Sequence, residues 1–391
     1  MGEAALKLSE KELHEWRLIE RFRERVAQEE LAGELHGSWA DKRRKLEHGQ
    51  YLSLFLFALL NPALRTLRAV CTASQWERVQ REVCGEAVSL GSFSEAQVLV
   101  DEEFLEKVFR GLAAEVRGPP KDPQVAWQKW FAQDSSLFAA LPRMTWALYG
   151  AGKAGAPNRA VRLHLSLHLD EDKPAAARVT AGRVCERKTW RQQWEKGAAY
   201  VGDRYYSEDH SIFGQLEQKG CSYVLRLREE STIAVQEELP VSAEQAAAGV
   251  MRQAWAHLGA SSRTRSVRLR VIWLRTQEGE LRLATNLPPQ EAAADVLALL
   301  YRRRWQIECF FRWLKCLLGC RHWLAESQRG VTVQLYLALI AALLCQQHIG
   351  HRPSKRLLEA IQMYQFGWVS LQELQASLVA EQRRQAARQK I

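Results

Sequence analysis

The sequence predicts a mixed α/β catalytic domain with one helical region before it and another after it. Three observations carry this expectation. Residues 1 to about 125 space their apolar side chains as helices do and show almost no alternation. From Trp130 to Arg228, short alternating runs are broken by two helical stretches, as in a mixed sheet that begins with a meander. From Gln290 onward the pattern returns to helix.

In order, Leu8–Leu46 is a highly charged helical stretch with Asp41-Lys42-Arg43-Arg44-Lys45 near its end, and Phe104–Val116 repeats apolar residues at three and four. Gly118-Pro119-Pro120-Lys121-Asp122-Pro123 reads as a linker. Beyond it, Trp130–Phe138 is strand-like around Asp134, and Ala160–Asp170 puts Val161, Leu163, Leu165, Leu167 and Leu169 on one face. His164 and His168 fall on the other face and read as surface or groove residues. Ala176–Thr180 is a further strand and Glu186–Lys196 a helix; the apolar strand Ala198–Gly202 leads straight into Asp203. Ser207 is the expected N-cap of a helix reaching Lys219, and Cys221–Arg228 alternates again. Strands continue from Glu229 to Pro289, with Ala243–Leu258 read as the exception. There Val267–Leu274 sets Val267, Leu269, Val271 and Trp273 against Arg268 and Arg270. A long helix is expected from Gln290 past Lys315, a second apolar one from about Val331 to His348, and a basic tail that frays. The division predicted is 1–125, helical; 126–350, mixed α/β, with strands continuing over about 229–289; and 351–391, helical.

Lys and Arg outnumber Asp and Glu 55 to 45, a net charge of +10, and the isoelectric point is about 9.3. That excess suits a polyanionic partner. The eight cysteines are scattered through apolar segments, as reduced buried thiols are, and the polar, acidic start is no signal peptide. The apolar runs Tyr51–Leu60 and Leu335–Cys345 fall short of the ~20 residues that span a bilayer and read as buried helices. A cytoplasmic protein with no membrane partner is the expectation.

The segment Tyr301–Lys315 carries most of the chemistry. At ~100° per residue, Tyr301, Arg304, Glu308, Arg312 and Lys315 share an arc of roughly 80°, while Ile307, Phe310, Leu314 and Leu317 lie opposite. A solvated face of i,i+4 ion pairs would show a similar charge pattern. Four phosphate donors around one acid instead suit metal-assisted phosphoryl transfer, in which the acid holds the cation and the cations hold the backbone. The spacing Tyr-x2-Arg-x3-Glu-x6-Lys, met by Tyr301, Arg304, Glu308 and Lys315, resembles the signature of the IS4 family of bacterial insertion-sequence transposases.

That resemblance implies a ribonuclease-H-like catalytic domain with an Asp-Asp-Glu metal triad and a β-rich insertion at about 229–289. Glu308 would be the third acid. Asp203 would be the second, since Asp203-Arg204-Tyr205-Tyr206 is similar to the family's Asp-Arg-Gly-Tyr-Tyr with Tyr205 in the glycine place. The first is assigned to Asp134, in Asp134-Ser135-Ser136, which resembles the family's Asp-Gly-Thr with Ser135 replacing glycine; Asp170 and Asp172 are rivals at a hairpin turn. The resemblance further implies two Mg²⁺ per site (Mn²⁺ substituting) and double-stranded DNA as partner, both as transposon ends with terminal inverted repeats and as target. It implies a homodimer in the synaptic complex and a hairpin intermediate. Tyr301, Arg304, Arg312 and Lys315 would grip phosphates; Trp273 and Trp305 are candidates to stack on an unpaired base. A non-catalytic DNA-binding protein or a nuclease of the same fold are the competing readings.

Two motifs lead elsewhere. Gly150-Ala151-Gly152-Lys153-Ala154-Gly155 satisfies a dinucleotide-binding pattern but is followed by Pro157 and a strand rather than a helix, so no nucleotide cofactor is expected. Cys309, Cys316, Cys320 and His322 have the spacing of a continuing helix, not of a zinc knuckle.

Overall fold

A computed structural model describes residues 17–33, 39, 44–117, 128–151, 157–259, 267–318, 323–365 and 367–389. The predicted linker at residues 118–123, most of the charged run at 41–45, and Cys320 and His322 lie outside the described residues. So does most of the glycine-rich motif, whose Gly150 and Ala151 end a short strand. The chain divides into two compact units, residues 1–118, 137–161 and 311–391, and residues 119–136 and 162–310.

The first unit holds α1 (Arg17–Ala32), α2 (His48–Leu60), α3 (Leu67–Ala73), α4 (Leu90–Leu99) and α5 (Glu102–Glu115). It also contains α11 (Gln328–Ile349), α12 (Lys355–Gln365) and α13 (Leu371–Gln389). Helix α11 starts where Ser327 Oγ accepts the Gly330 N–H at 3.1 Å, a cap worth about 1 kcal/mol, and stops at Gly350 in the left-handed region. Its side chains from Val331 to Gln346 are buried, and it packs on α5, α2, α1 and α4. It is long and apolar enough to cross a membrane, yet 94% of its most apolar window is buried inside the fold. Such a helix, apolar all round, is what a protein core requires. The basic tail predicted to fray is helical through Gln389.

The second unit is built on a mixed sheet. Strand β1 (Trp130–Ala139) begins in it; β3 (Pro157–His168) enters it at Arg162 and pairs with β4 (Lys173–Ala181), and the short β2 (Leu148–Ala151) precedes β3 in the first unit. Then come α6 (Glu186–Arg191), β5 (Ala199–Gly202), α7 (Ser211–Gln218) and β6 (Ser222–Arg226). The strand order runs β3-β1-β5-β6-β10-β9-β8-β7. β1, β5 and β6 are mutually parallel, and the remaining pairs from β6 outward are antiparallel. The insertion therefore extends the sheet: β7 (Ile233–Leu239), β8 (Val250–Leu258), β9 (Leu269–Thr276) and β10 (Gly279–Thr285) return the chain to the edge of β6. Phe131, Trp190, Tyr200, Tyr206, Phe213 and Tyr223 anchor the core on one face of this sheet.

Several expectations are corrected. The helix read over Ala243–Leu258 is only α8 (Ala243–Ala247). Gly249, at φ +97°, then turns the chain into β8, whose ladders with β7 and β9 override the local helical pattern. Helix α6 ends at Arg191, short of Lys196. Ser207 does not cap α7, which starts at Ser211; its buried hydroxyl donates to the Arg226 carbonyl at 2.6 Å and ties the Asp203 turn to β6. His164 and His168 are buried, not at the surface, because both faces of β3 are covered. His164 meets Thr180 at 2.9 Å, and burial beside Arg162 and Arg178 pulls its pKa down to about 3. The expected long helix is two: α9 (Ala294–Arg303) and α10 (Trp305–Leu317).

Candidate active site

The two aspartates are placed by register. Ala132 pairs with Val201, so the parallel ladder, continued two residues, sets Asp134, within β1, level with Asp203, just past the end of β5. The next ladder pairs Gly202 with Leu225 and so sets Arg226 level with Asp203. Asp203 leaves β5 in a tight turn, its Oδ1 accepting the Tyr205 N–H at 2.9 Å and its carbonyl accepting the Tyr206 N–H at 3.2 Å. Gly202 is required just before it: a Cβ there would stand 2.9 Å from the Leu225 side chain and 3.0 Å from the Tyr206 ring.

Glu308 comes from the helix pair. The break falls at Arg304, whose N–H bonds the Tyr301 carbonyl at 3.1 Å while its own carbonyl accepts the Ile307 N–H at 3.1 Å. These i→i+3 bonds tighten the backbone without leaving the helical region. Tyr301 thus ends one helix and Glu308 begins the next, with Ile307 and Phe310 buried beneath. The Arg304 guanidinium reaches both ways, 2.7 Å to Glu308 Oε1 and 3.9 Å to Asp134 Oδ2. It lies 5.8 Å from the Tyr301 ring centre. Its buried Nε finds no acceptor among the described residues. Burial holds the Tyr301 phenol above its ordinary value, against the opposing charges of Arg304 and Arg226.

Asp134 stands in the most unusual environment. Its Oδ1 accepts the Ser135 N–H at 2.8 Å. Burial, then the Glu186 charge, then that of Asp203 push its pKa up to about 7, against the opposing pull of the Ser135 N–H and Arg304. Three carboxylates with hard oxygen donors and too little compensating positive charge suit a divalent cation such as Mg²⁺. Among the described residues no three His, Cys, Asp or Glu side chains yet converge on one point; Glu308 is instead drawn to Arg304.

The structure thus brings Asp134, Asp203, Glu308, Tyr301 and Arg304 into one locus of the second unit. Arg312 and Lys315 belong to the first unit, where Arg312 is exposed and the Lys315 ammonium lies 5.3 Å over the Phe138 ring. Trp305 is 53% exposed and open to stacking, whereas Trp273 is 7% exposed and covered by the Arg252 guanidinium at 4.6 Å. The rival Asp170 is buried 3.7 Å from Arg303, and Asp172 takes φ +45° at the hairpin turn. Sequence reasoning missed Glu186, Arg162 and Arg226, which no local pattern marks. The only available signal was the pairing of Tyr206 with the Asp203 turn.

Residues 117–344 match the family described as the transposase DDE domain. The "Probable transposase for insertion sequence element IS5377" of Geobacillus stearothermophilus is 27% identical over 203 residues, 52% of this chain and 52% of that protein. The "Putative transposase for insertion sequence element IS4SA" of Synechocystis sp. is 22% identical over 308 residues, 76% of this chain and 81% of that one. The chain thus spans about half the length of the first relative and most of the second. A solved synaptic complex of the piggyBac transposase with hairpin DNA aligns over 94% of this chain and 79% of that chain at TM-score 0.44 and 9% identity, too loose a likeness to fix the fold. The matched stretch covers more than half of the sequence and contains Asp134, Asp203 and Glu308, and the chain belongs to the transposase DDE-domain family.

Proposed function

We propose that this chain excises and integrates an insertion sequence by metal-dependent cleavage and strand transfer at its terminal inverted repeats. The observation that carries the reading is the level placement of Asp134 and Asp203 by adjacent parallel strands, with Arg304 joining Asp134 to Glu308. The β3-β1-β5-β6 core, with Asp134 on β1 level with Asp203 after β5, supports a ribonuclease-H-like catalytic domain over residues 126–350. Residues 1–125 and 351–391 would then serve DNA binding and dimerisation.

Asp134, Asp203 and Glu308 would hold two Mg²⁺ ions, with Mn²⁺ as a substitute. Bound there, such ions lower the pKa of an attacking water or DNA 3′-hydroxyl and stabilise the leaving oxygen. Arg304, whose Nε has no acceptor among the described residues, donates to the phosphate next to the scissile bond, and Tyr301 donates a second hydrogen bond. Arg312 and Lys315 neutralise neighbouring phosphates, and the exposed Trp305 stacks on a base freed by a hairpin intermediate. The partners are double-stranded transposon ends and target DNA, synapsed by a homodimer, in the cytoplasm at the nucleoid.

End cleavage and joining by Asp203→Asn and Glu308→Gln proteins test the assignment. Losing a metal-holding carboxylate removes several kcal/mol of transition-state stabilisation, a loss of at least about 1,000-fold. Cleavage at the unsubstituted rate by either variant sinks the triad. Cutting without joining in the unsubstituted chain identifies a nuclease instead.

A further inference from the structure

Glu186 opens a helix of only six residues, and nothing in its local sequence marks it. Its carboxylate nevertheless lies where two chains of hydrogen bonds meet. On one side, Arg162 Nη1 on β3 donates to Glu186 Oε2 at 3.1 Å and to Ser135 Oγ at 2.8 Å, and Ser135 donates its N–H to Asp134 at 2.8 Å. The same guanidinium is fixed through its Nε, which donates to the Gly182 carbonyl at 3.1 Å. On the other side, the hydroxyl of Tyr206 donates to Glu186 Oε1. Tyr206 closes the Asp203 turn through its N–H, and its ring is buried edge-on against Trp190 at 4.7 Å. Ser135, the residue that departs from the family's glycine, is the one whose hydroxyl receives Arg162.

We propose that Glu186 is a positioning residue: with Arg162 and Tyr206 it braces the Asp134 strand against the Asp203 turn, holding the two acids at a fixed separation before metal and DNA arrive. The proposal rests on the reading of Asp134 and Asp203 as metal-holding acids. Among the described residues β1 and β5 pair over Trp130–Ala132 and Ala199–Val201, so this ladder stops two residues short of the acids. The brace spans that gap. Glu186 also adds the largest charge effect on Asp134, which agrees with its nearness. A brace made by charged and fully engaged groups lowers the reorganisation that binding an ion would otherwise require.

Mn²⁺ binding to the full-length, DNA-free chain, followed by electron paramagnetic resonance, tests this. Tyr206→Phe deletes only the hydroxyl, whereas Arg162→Met removes the donors to Glu186, Ser135 and the Gly182 carbonyl together. Both are compared with Glu186→Gln, well below their melting temperatures. Each is expected to weaken Mn²⁺ binding by about 10- to 100-fold, the range for losing a partner that orients a ligand. The double variant Tyr206→Phe/Glu186→Gln should be no worse than the weaker single one, because both break one unit. Mn²⁺ affinity within twofold of the unsubstituted chain in Tyr206→Phe and Arg162→Met overturns the brace, even if their melting temperatures fall. An effect confined to Glu186→Gln also overturns it, since Glu186 would then act through its charge alone. Should Arg162→Met not fold, Tyr206→Phe decides. Asp203→Asn is the control: if Mn²⁺ binding does not depend on Asp203, the metal reading fails and the brace with it, whereas intact binding in the brace variants fails the brace alone.

Discussion

Asp134→Asn should make the metal-free protein more stable. The carboxyl is 24% exposed at its side chain and titrates at about 7 in the folded chain against an ordinary 3.8. Burial is the main cause, with the charges of Glu186 and Asp203 next. At about 1.4 kcal/mol per pKa unit, keeping Asp134 ionised costs the fold up to ~4 kcal/mol, and residual solvent screening reduces this toward ~2 kcal/mol. The sign follows from linkage. Below about pH 4 the group is protonated whether the chain is folded or not, and no penalty exists. As pH rises toward about 7 the unfolded chain ionises first and stability is lost; above that the full penalty remains. Asparagine keeps an acceptor for the Ser135 N–H and carries no charge. Unfolding in EDTA at pH 8 should therefore be shifted upward by several degrees in the variant, with roughly a third of that gap at pH 5. Added Mn²⁺ should reverse the order: at 100 times its Kd it contributes about 2.7 kcal/mol to a chain that binds it and nothing to one that does not. A variant no more stable than the unsubstituted chain at pH 8 in EDTA would refute the claim that Asp134 is an under-compensated anion.

Other outcomes follow from the same geometry. Because Mn²⁺ must displace the proton on Asp134, its affinity should fall about tenfold per pH unit below about 7; a flat titration between pH 5 and 7 contradicts this. Gly202→Ala should cost about 1–3 kcal/mol in denaturant unfolding, since the new Cβ meets Leu225 at 2.9 Å and Tyr206 at 3.0 Å; an unchanged midpoint would mean the turn yields freely. Arg270, fully buried, donates to Gln253 at 3.1 Å, to the Leu287 carbonyl at 3.3 Å and to the Ala292 carbonyl at 2.7 Å. Arg270→Met strands those acceptors and should destabilise the second unit by roughly 2–4 kcal/mol, read as an earlier unfolding transition.

The helix bearing Glu308 was legible because its apolar and charged faces separate at helical spacing, and Asp203 because a short apolar strand runs directly into it. The break at Arg304 was not, since an i→i+3 turn keeps helical dihedrals and leaves the periodicity almost intact. β8 was misread because Val250–Leu258 carries four alanine, glutamine or methionine positions that favour helix locally; its conformation is decided by two neighbouring strands distant in sequence. His164 and His168 looked exposed because alternation reveals two faces but not that both are covered. Glu186 was invisible for a related reason. Its partners are Arg162 and Tyr206, one on an earlier strand and one in a later turn, and only the folded chain brings them to one carboxylate.

The return of β10 to the edge of β6 also bears on how this protein folds and varies. Leu283 pairs with Arg226, so residues 227–282 form a closed excursion whose two ends are hydrogen-bonded neighbours. The entropy of closing such a loop grows only with the logarithm of its length, about 0.6 kcal/mol per doubling. Strands can thus be gained or lost at the far edge, beyond β7, without moving the Arg226 end of β6 or the start of the helix pair. The same topology makes the β6–β10 ladder, whose strands lie far apart in sequence, a slow contact to form, and until it closes β6 is left as an unpaired edge of the sheet.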